Sequence, residues 1–81
     1  MTLKQIDDWC MERIAVPRIK DDYFDIGSKS HHVVKFENGD SYEQETEYNS
    51  NRTELYTKIK INGIIDYAAK MEWYNFGWRE V

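Results

Sequence analysis

The apolar positions follow a helical period at the start of the chain and a period of two through most of the rest. Leu3 and Ile6 begin the helical pattern, with acidic positions between the apolar ones. Thr2 and Gln5 match a capping box, in which each side chain accepts a backbone N–H of the other residue. We therefore predict an amphipathic helix over residues 3–15.

Three segments after this helix alternate as half-buried strands do. Residues 31–36 and 41–48 flank an Asn-Gly pair, which is a strong hairpin signal, and residues 55–61 form the third strand. A three-residue loop with Gly39 in the left-handed conformation keeps the apolar residues of the first two strands on one face. Before them, a charged turn is expected at residues 20–22, followed by a short edge strand over Tyr23, Phe24 and Ile26 that ends at Gly27.

The segment after Asn62 and Gly63 has two interpretations. Alternate apolar residues from Ile65 to Trp73 allow a fourth strand, whereas Asn62 as a cap and the run from Ala68 to Glu72 favour a helix. A regular two-residue hairpin would place Ile65 opposite a lysine of the preceding strand, mixing the two faces. We predict a helix that stops at Gly77.

The predicted fold is a single α+β domain over residues 1–81. It consists of a three-stranded antiparallel meander, with an N-terminal and a C-terminal amphipathic helix on one face. The other face is then open.

Three glutamates on the second strand of the predicted meander are the most distinctive candidate site. Glu43, Glu45 and Glu47 alternate, so on a strand they form a ladder on the open face. Their spacing is about 6.6–6.8 Å, twice the rise per residue, close to the roughly 6–7 Å between successive phosphates of a nucleic-acid strand. The ladder is therefore a candidate anionic surface for a cationic groove.

Other acidic residues extend the predicted surface, and lysines interrupt it. Glu37 and Asp40 lie at the hairpin tip and Glu54 lies near the opposite end. A four-residue loop before the third strand would place Lys58 opposite Glu43. The surface is therefore expected to be an acidic row flanked by lysines.

Composition narrows the class of function. The chain has 15 acidic and 11 basic residues and a net charge of −4, which argues against direct binding to nucleic acid or to an anionic membrane. One cysteine excludes an internal disulfide, and no apolar segment reaches membrane-spanning length. We expect a cytoplasmic protein that binds basic protein surfaces.

The sequence offers no catalytic, cofactor or metal motif. His31 and His32 are adjacent and would point to opposite faces of a strand, so they cannot share an ion. Cys10 lies on the apolar stripe of the helix and is predicted to be a core residue. Alternate carboxylates on one strand point in parallel rather than converging on a cation. We therefore predict no enzyme activity, no metal and no cofactor.

An aromatic segment near the C-terminus is a second candidate contact surface. It contains Trp73, Tyr74, Phe76 and Trp78, and tryptophan and tyrosine are enriched at interface hot spots. Trp73 and Phe76 are predicted to pack in the core. Tyr74 and Trp78 are predicted to be partly exposed and to bind a protein partner or a second copy of the chain.

The chain resembles a class of small inhibitor proteins in three features: its carboxylate ladder, its acidic hairpin tip and its small size. Residues 37–58 resemble the acidic surfaces of small phage and mobile-element proteins, including anti-CRISPR and DNA-mimicking anti-restriction proteins. This resemblance implies a non-catalytic protein that inhibits or modulates a larger basic, nucleic-acid-handling partner. The alternative function is an interaction or homodimer module that uses Tyr74 and Trp78.

Overall fold

The structure is a computed structural model of residues 1–81 and consists of one helix and one six-stranded sheet. The strands are all antiparallel, and their spatial order follows the chain. The prediction of three strands and two helices is therefore wrong. The elements are α1 (Leu3–Met11), β1 (Arg18–Asp25), β2 (Lys29–Phe36), β3 (Ser41–Tyr48), β4 (Glu54–Ile61), β5 (Ile64–Tyr74) and β6 (Gly77–Glu80).

The N-terminal helix begins as predicted and ends earlier than predicted. Thr2 Oγ1 accepts the backbone N–H of Gln5 at 3.1 Å, and Gln5 Oε1 accepts that of Thr2 at 2.8 Å, which completes the capping box. The helix ends at Met11, and turns rather than helix continue to Ala15. No helix of the chain is long and apolar enough to cross a membrane.

The segment predicted as a C-terminal helix is strand β5. Asn62 and Gly63 have positive φ angles of 52° and 80°, as the two central residues of a type I′ hairpin turn require. Asparagine tolerates this conformation better than most residues. The helix-favouring composition that follows is overridden because β5 pairs with β4 along its length.

A β-bulge at Asp66 explains how a hairpin can form here without mixing the two faces of the sheet. Ile65 does lie opposite Lys60, but the next pair along the ladder is Tyr67 with Ile59. Asp66 is thus an extra residue on β5, and such an insertion restores the alternation beyond it. From Tyr67 onward, every second residue of β5 faces the same side as the apolar residues of β4.

The hairpin between β2 and β3 is confirmed. Phe36 donates its N–H to the carbonyl of Asp40 at 2.9 Å, which leaves a three-residue loop, and Gly39 has a φ of 94°. Val34 pairs with Tyr42, so the apolar residues of the two strands share a face.

The predicted register between β3 and β4 is shifted by two residues. Tyr48 pairs with Leu55 instead of Thr53, because the intervening loop is longer than four residues. A shift of two leaves every side chain on its predicted face. Glu43 therefore lies opposite Lys60 instead of the lysine two positions earlier.

The two outer strands differ in how well the sequence signals them. The predicted short edge strand overlaps the end of β1, but residues 20–22, predicted as a turn, also pair with β2. All eight residues of β1 are exposed. Strand β6 was not predicted. It follows a tight turn in which Asn75 and Phe76 have φ angles of 53° and 64°, and it begins at Gly77, where we had predicted the end of a helix.

Helix α1 covers only part of one face of the sheet. Ile6 is the buried residue of the helix and packs on Ile59 and Ile61, with Trp9 and Cys10 beside them. We call this face the helix side and the opposite face the open face. The buried residues are few, because no second helix covers the rest of the helix side: Ile6, Val34, Phe36, Leu55, Thr57, Ile59 and Ile61.

Candidate binding surfaces

The glutamate ladder lies on the open face, as expected. Residues that pair across neighbouring strands share a face, so the register places one row of charged side chains beside another. The face carries nearly equal numbers of basic and acidic residues: Lys20, Lys29, Lys35, Lys58, Lys60, Lys70 and Arg79 against Asp22, Glu43, Glu45, Glu47, Glu54 and Glu72.

Each carboxylate of the ladder has a cationic neighbour. Lys60 Nζ lies 3.5 Å from Glu43 Oε1, and Lys58 Nζ lies 3.1 Å from Glu45 Oε2. Lys29 Nζ lies farther from its carboxylate, 3.9 Å from Glu47 Oε1. The ladder therefore belongs to a zwitterionic surface rather than forming a continuous anionic stripe.

Exposure increases along the ladder from Glu43 to Glu47. The side chain of Glu43 is 29% exposed and that of Glu47 is 62% exposed. Desolvation raises the pKa of the Glu43 carboxyl, but the neighbouring His31 and Lys60 outweigh it, so the net pKa is lowered. Glu43 is thus held in its charged form.

Of the other predicted acidic residues, only Glu54 shares a face with the ladder. Glu54 lies on the open face and pairs with Lys70 at 3.2 Å. Asp40 instead accepts a hydrogen bond from Arg13 Nε at 2.7 Å at the end of the helix. Glu37 is an exposed residue of the hairpin loop. Asp40 therefore has a structural role that the sequence did not indicate.

The open face carries a trough that crosses five strands. The trough has a volume of about 740 Å³. Phe24 and Tyr56 contribute aromatic rings, His31 and Glu45 contribute polar groups, and Ala68 leaves room because its side chain is small. The trough is open to solvent along its length.

Part of the helix side that the helix does not cover forms an apolar groove. Its volume is about 270 Å³. We define the groove by five of the side chains that line it: Leu3, Tyr48, Leu55, Met71 and Trp78. Trp78 is 37% exposed and Leu3 is 43% exposed, so apolar surface on two sides of the groove contacts water.

The two aromatic residues predicted to form one contact surface lie on opposite faces. Trp78 is on the helix side, where its ring centroid lies 5.8 Å from that of Tyr48 and 5.5 Å from that of Trp73. Tyr74 is on the open face and stacks with Arg79, whose guanidinium carbon lies 3.9 Å from the ring centroid. Phe76, predicted to be in the core, is 92% exposed.

Three acidic residues share the helix side of the sheet with the apolar groove. Asp7 follows Leu3 by one helical turn and therefore lies on the same flank of α1. Glu80 pairs with Met71 and accepts a hydrogen bond from Tyr67 Oη at 3.1 Å. Asp25, at the end of β1, also lies on the helix side, because it pairs with Ser30 of β2. We call Asp7, Asp25 and Glu80 the acidic rim.

One cation, Arg52, also lies near the groove. The Arg52 guanidinium lies 5.3 Å from the Tyr48 ring centroid. It also donates to the carbonyl of Gly27 at 2.6 Å. Arg52 forms no ion pair within 4.0 Å with a member of the acidic rim.

The register also gathers three metal-ligating side chains that the sequence did not connect. His31 on β2 lies diagonally next to Glu43 and opposite Glu45 on β3. The distances from His31 Nε2 are 3.1 Å to Glu43 Oε2 and 3.8 Å to Glu45 Oε1. Alternation along one strand could not reveal this triad, because one of its members comes from the neighbouring strand.

Cys10 and His32, the other residues with catalytic potential, do not belong to this triad. Burial and the nearby Asp7 raise the pKa of the Cys10 thiol, which keeps it protonated and weakly nucleophilic. His32 points to the helix side and bonds to Asp21, with Nε2 at 2.7 Å from the carboxylate. These residues therefore do not assemble into a nucleophile-and-base pair.

Comparisons of the chain with protein-family models, with curated proteins and with solved structures find no match to any of them.

Proposed function

We propose that this chain is a non-catalytic binding protein that holds a larger protein through the helix side of its sheet. The observation that carries this proposal is the apolar groove with its acidic rim. Because a single cysteine and no disulfide suit a reducing compartment, we place the protein in the cytoplasm.

The groove has the composition of a protein contact site. Trp78, Tyr48 and Met71 belong to residue types that are enriched at interfaces, and an apolar patch rimmed by polar groups is a common form of protein interaction site. The groove is too small for a whole helix to be buried in it. It suits one or two apolar side chains that project from a partner surface.

The acidic rim indicates the charge of the partner. Most of the excess negative charge of the chain lies outside the open face, where acids and bases nearly balance. A partner with basic residues around an apolar anchor would complement the rim and be attracted over a distance. If this basic surface also handles nucleic acid, the complex would be inhibitory, which is the function expected from the resemblance to phage inhibitors.

The glutamate ladder supports a second candidate contact. Glu47 is the most exposed carboxylate of the ladder and its lysine is the most distant. A basic partner could displace this lysine from Glu47 with little loss of free energy, because an exposed ion pair contributes little to stability. The open face would then be the binding surface, and the helix-side groove would be unimportant.

The experiment is a capture of partners from host-cell lysate by the intact chain, followed by affinity measurement with the purified partner. Trp78→Ala removes a wall of the groove, and Tyr74→Ala is the matched control because it truncates an aromatic residue of the same hairpin on the opposite face. We expect Trp78→Ala to weaken binding at least tenfold, as for an interface hot spot. Tyr74→Ala should bind within about twofold of the unmodified chain, because residues outside the centre of an interface contribute little to the binding energy.

A third variant separates the two candidate surfaces. Glu45→Gln/Glu47→Gln removes two carboxylates of the ladder without introducing repulsion toward the lysines. The proposed groove contact predicts unchanged affinity for this variant. Loss of binding here, together with normal binding by Trp78→Ala, would assign the contact to the ladder and reject the groove.

A further inference from the structure

We propose that His31, Glu43 and Glu45 form a binding site for a divalent transition-metal ion, with zinc as the best fit. This site is on the open face and is separate from the proposed partner contact on the helix side. It is the feature of the open face that pairing with lysines does not explain.

The ligand atoms already lie close together. The three donor atoms lie within 4.8 Å of one another. Tetrahedral zinc with bonds of about 2.0–2.1 Å needs ligand atoms about 3.3 Å apart. The distances of 3.1 and 3.8 Å from His31 Nε2 to its two carboxylate neighbours are near this value. Small side-chain rotations would bring all three ligands onto one ion.

An unsatisfied nitrogen points to a missing ligand. His31 Nε2 has almost no accessible surface and no hydrogen-bond partner, although the imidazole side chain itself is 41% exposed. It lies 3.1 Å from a carboxylate oxygen of Glu43, an approach that is favourable only when this nitrogen carries a proton. Unpartnered buried polar atoms are rare in proteins, and each requires an explanation. An ion between the imidazole and the carboxylates would satisfy this nitrogen.

The two lysines occupy different carboxylate oxygens from those that face the imidazole. Lys60 contacts Glu43 Oε1 while Oε2 faces His31, and Lys58 contacts Glu45 Oε2 while Oε1 faces His31. The lysines can therefore remain in place when the inner oxygens bind an ion. Such outer contacts orient the ligands of many metal sites, although the two positive charges will reduce the affinity.

The ligand set indicates the class of metal. One imidazole nitrogen and two carboxylate oxygens match the ligands that zinc accepts, whereas calcium and magnesium prefer oxygen alone. Three protein ligands leave a fourth position for solvent. Because Glu45 and His31 also line the trough, this position would face the space inside it.

The test is a titration of the metal-free intact chain with Zn²⁺ by calorimetry, with Co²⁺ absorption as a report of ligand geometry. We expect one ion per chain, and at least tenfold weaker binding for His31→Ala and for Glu45→Gln. Glu45→Gln keeps the shape of the side chain, so it remains informative if His31→Ala folds poorly. The matched controls are His32→Ala and Glu47→Gln, which remove the same residue types just outside the triad and should bind normally.

Three results would overturn the proposal. They are the absence of Zn²⁺ binding, binding that survives both triad variants, and binding that is lost in Cys10→Ser. The outcome is independent of the partner assay, because Trp78→Ala should leave Zn²⁺ binding unchanged.

Discussion

Asp40 connects three parts of the molecule through a single carboxylate. It accepts hydrogen bonds from Arg13 Nε at 2.7 Å, from Asn38 Nδ2 at 3.0 Å and from Asn62 Nδ2 at 3.2 Å. Arg13 follows the helix, and the two asparagines belong to the turns between β2 and β3 and between β4 and β5. Asp40 thus helps to hold the helix against this end of the sheet. The same arginine also stacks on Trp9, with 3.9 Å from its guanidinium carbon to the ring centroid.

The charge of Asp40 makes the stability of the chain depend on pH. The hydrogen bond from Arg13 and those from the asparagines lower the pKa of Asp40 below its ordinary value of 3.8. A lowered carboxyl pKa adds stability above pH 3.8, and that contribution is lost as the pH falls through the folded-state pKa. We expect Asp40→Asn to lower the urea midpoint at pH 7, and we expect this difference to shrink progressively below pH 4.

Asp22→Asn is the matched control for this measurement. Its carboxylate is 71% exposed and its nearest ammonium group lies 3.6 Å away. Exposed ion pairs of this kind contribute little to stability. The urea midpoint of Asp22→Asn should therefore hardly differ from that of the unmodified chain, at pH 7 or below pH 4. An equal effect of the two substitutions would show that Asp40 acts through net charge alone.

Strand β5 is the element on which the shape of both surfaces depends. Its bulge places Tyr67 under the helix and brings Met71 to the groove, while Ala68 lies in the trough. Without the bulge, a two-residue turn would place the apolar residues of β5 on the open face instead of the helix side. The element therefore satisfies its turn geometry and its burial pattern at the same time.

Single-residue deletions test the role of the bulge. Deleting Asp66 removes the extra residue and leaves every later pair on its original face, so we expect a folded chain with modestly reduced stability. Deleting Ala68 instead disrupts the burial pattern in either of two ways. If the bulge remains, Met71 moves to the open face and Glu72 to the helix side, and if the bulge closes, Asp66 moves to the helix side and Tyr67 to the open face. We expect this second variant to lose cooperative thermal unfolding, as measured by circular dichroism. Similar melting curves for the two deletions would contradict the assigned register.

On the scale of the whole molecule, the two faces of the sheet differ in electrostatic character. The open face pairs its carboxylates with lysines, whereas the helix side combines apolar surface with the acidic rim. Unpaired surface charge attracts a partner over roughly a Debye length, about 8 Å at physiological salt. The net charge of −4 should therefore act mainly through the helix side.

Two double variants with equal changes in net charge test this asymmetry. Asp7→Asn/Glu80→Gln neutralises two members of the acidic rim, and Glu45→Gln/Glu47→Gln neutralises two members of the ladder. We expect the rim variant to lower the association rate of the captured partner several-fold at low salt, with little difference at high salt. The ladder variant should change the rate less. Equal effects of both would show that only total charge matters.

The parts of the fold that the sequence predicts are those set by neighbouring residues. Thr2 and Gln5 identify the helix start because capping is local, and Gly39 identifies the loop between β2 and β3 because the loop needs a left-handed residue. The segment after β4 is mispredicted because Ala68 to Glu72 favour a helix locally. Pairing with β4 decides against it, and the bulge that permits this pairing has no clear local signal.

The candidate surfaces were predictable only in part, for the same reason. Alternation alone placed Glu43, Glu45 and Glu47 on one face, because the side-chain period of a strand is two. The approach of His31, the opposite faces of Tyr74 and Trp78, and the structural use of Asp40 required knowledge of which strands pair and in what register. The sequence by itself determined where the helix begins, where the chain turns between β2 and β3, and which side chains of β3 and β4 share a face. The tertiary structure decided which charges meet and which apolar surface stays uncovered, because both depend on contacts between residues distant in the chain.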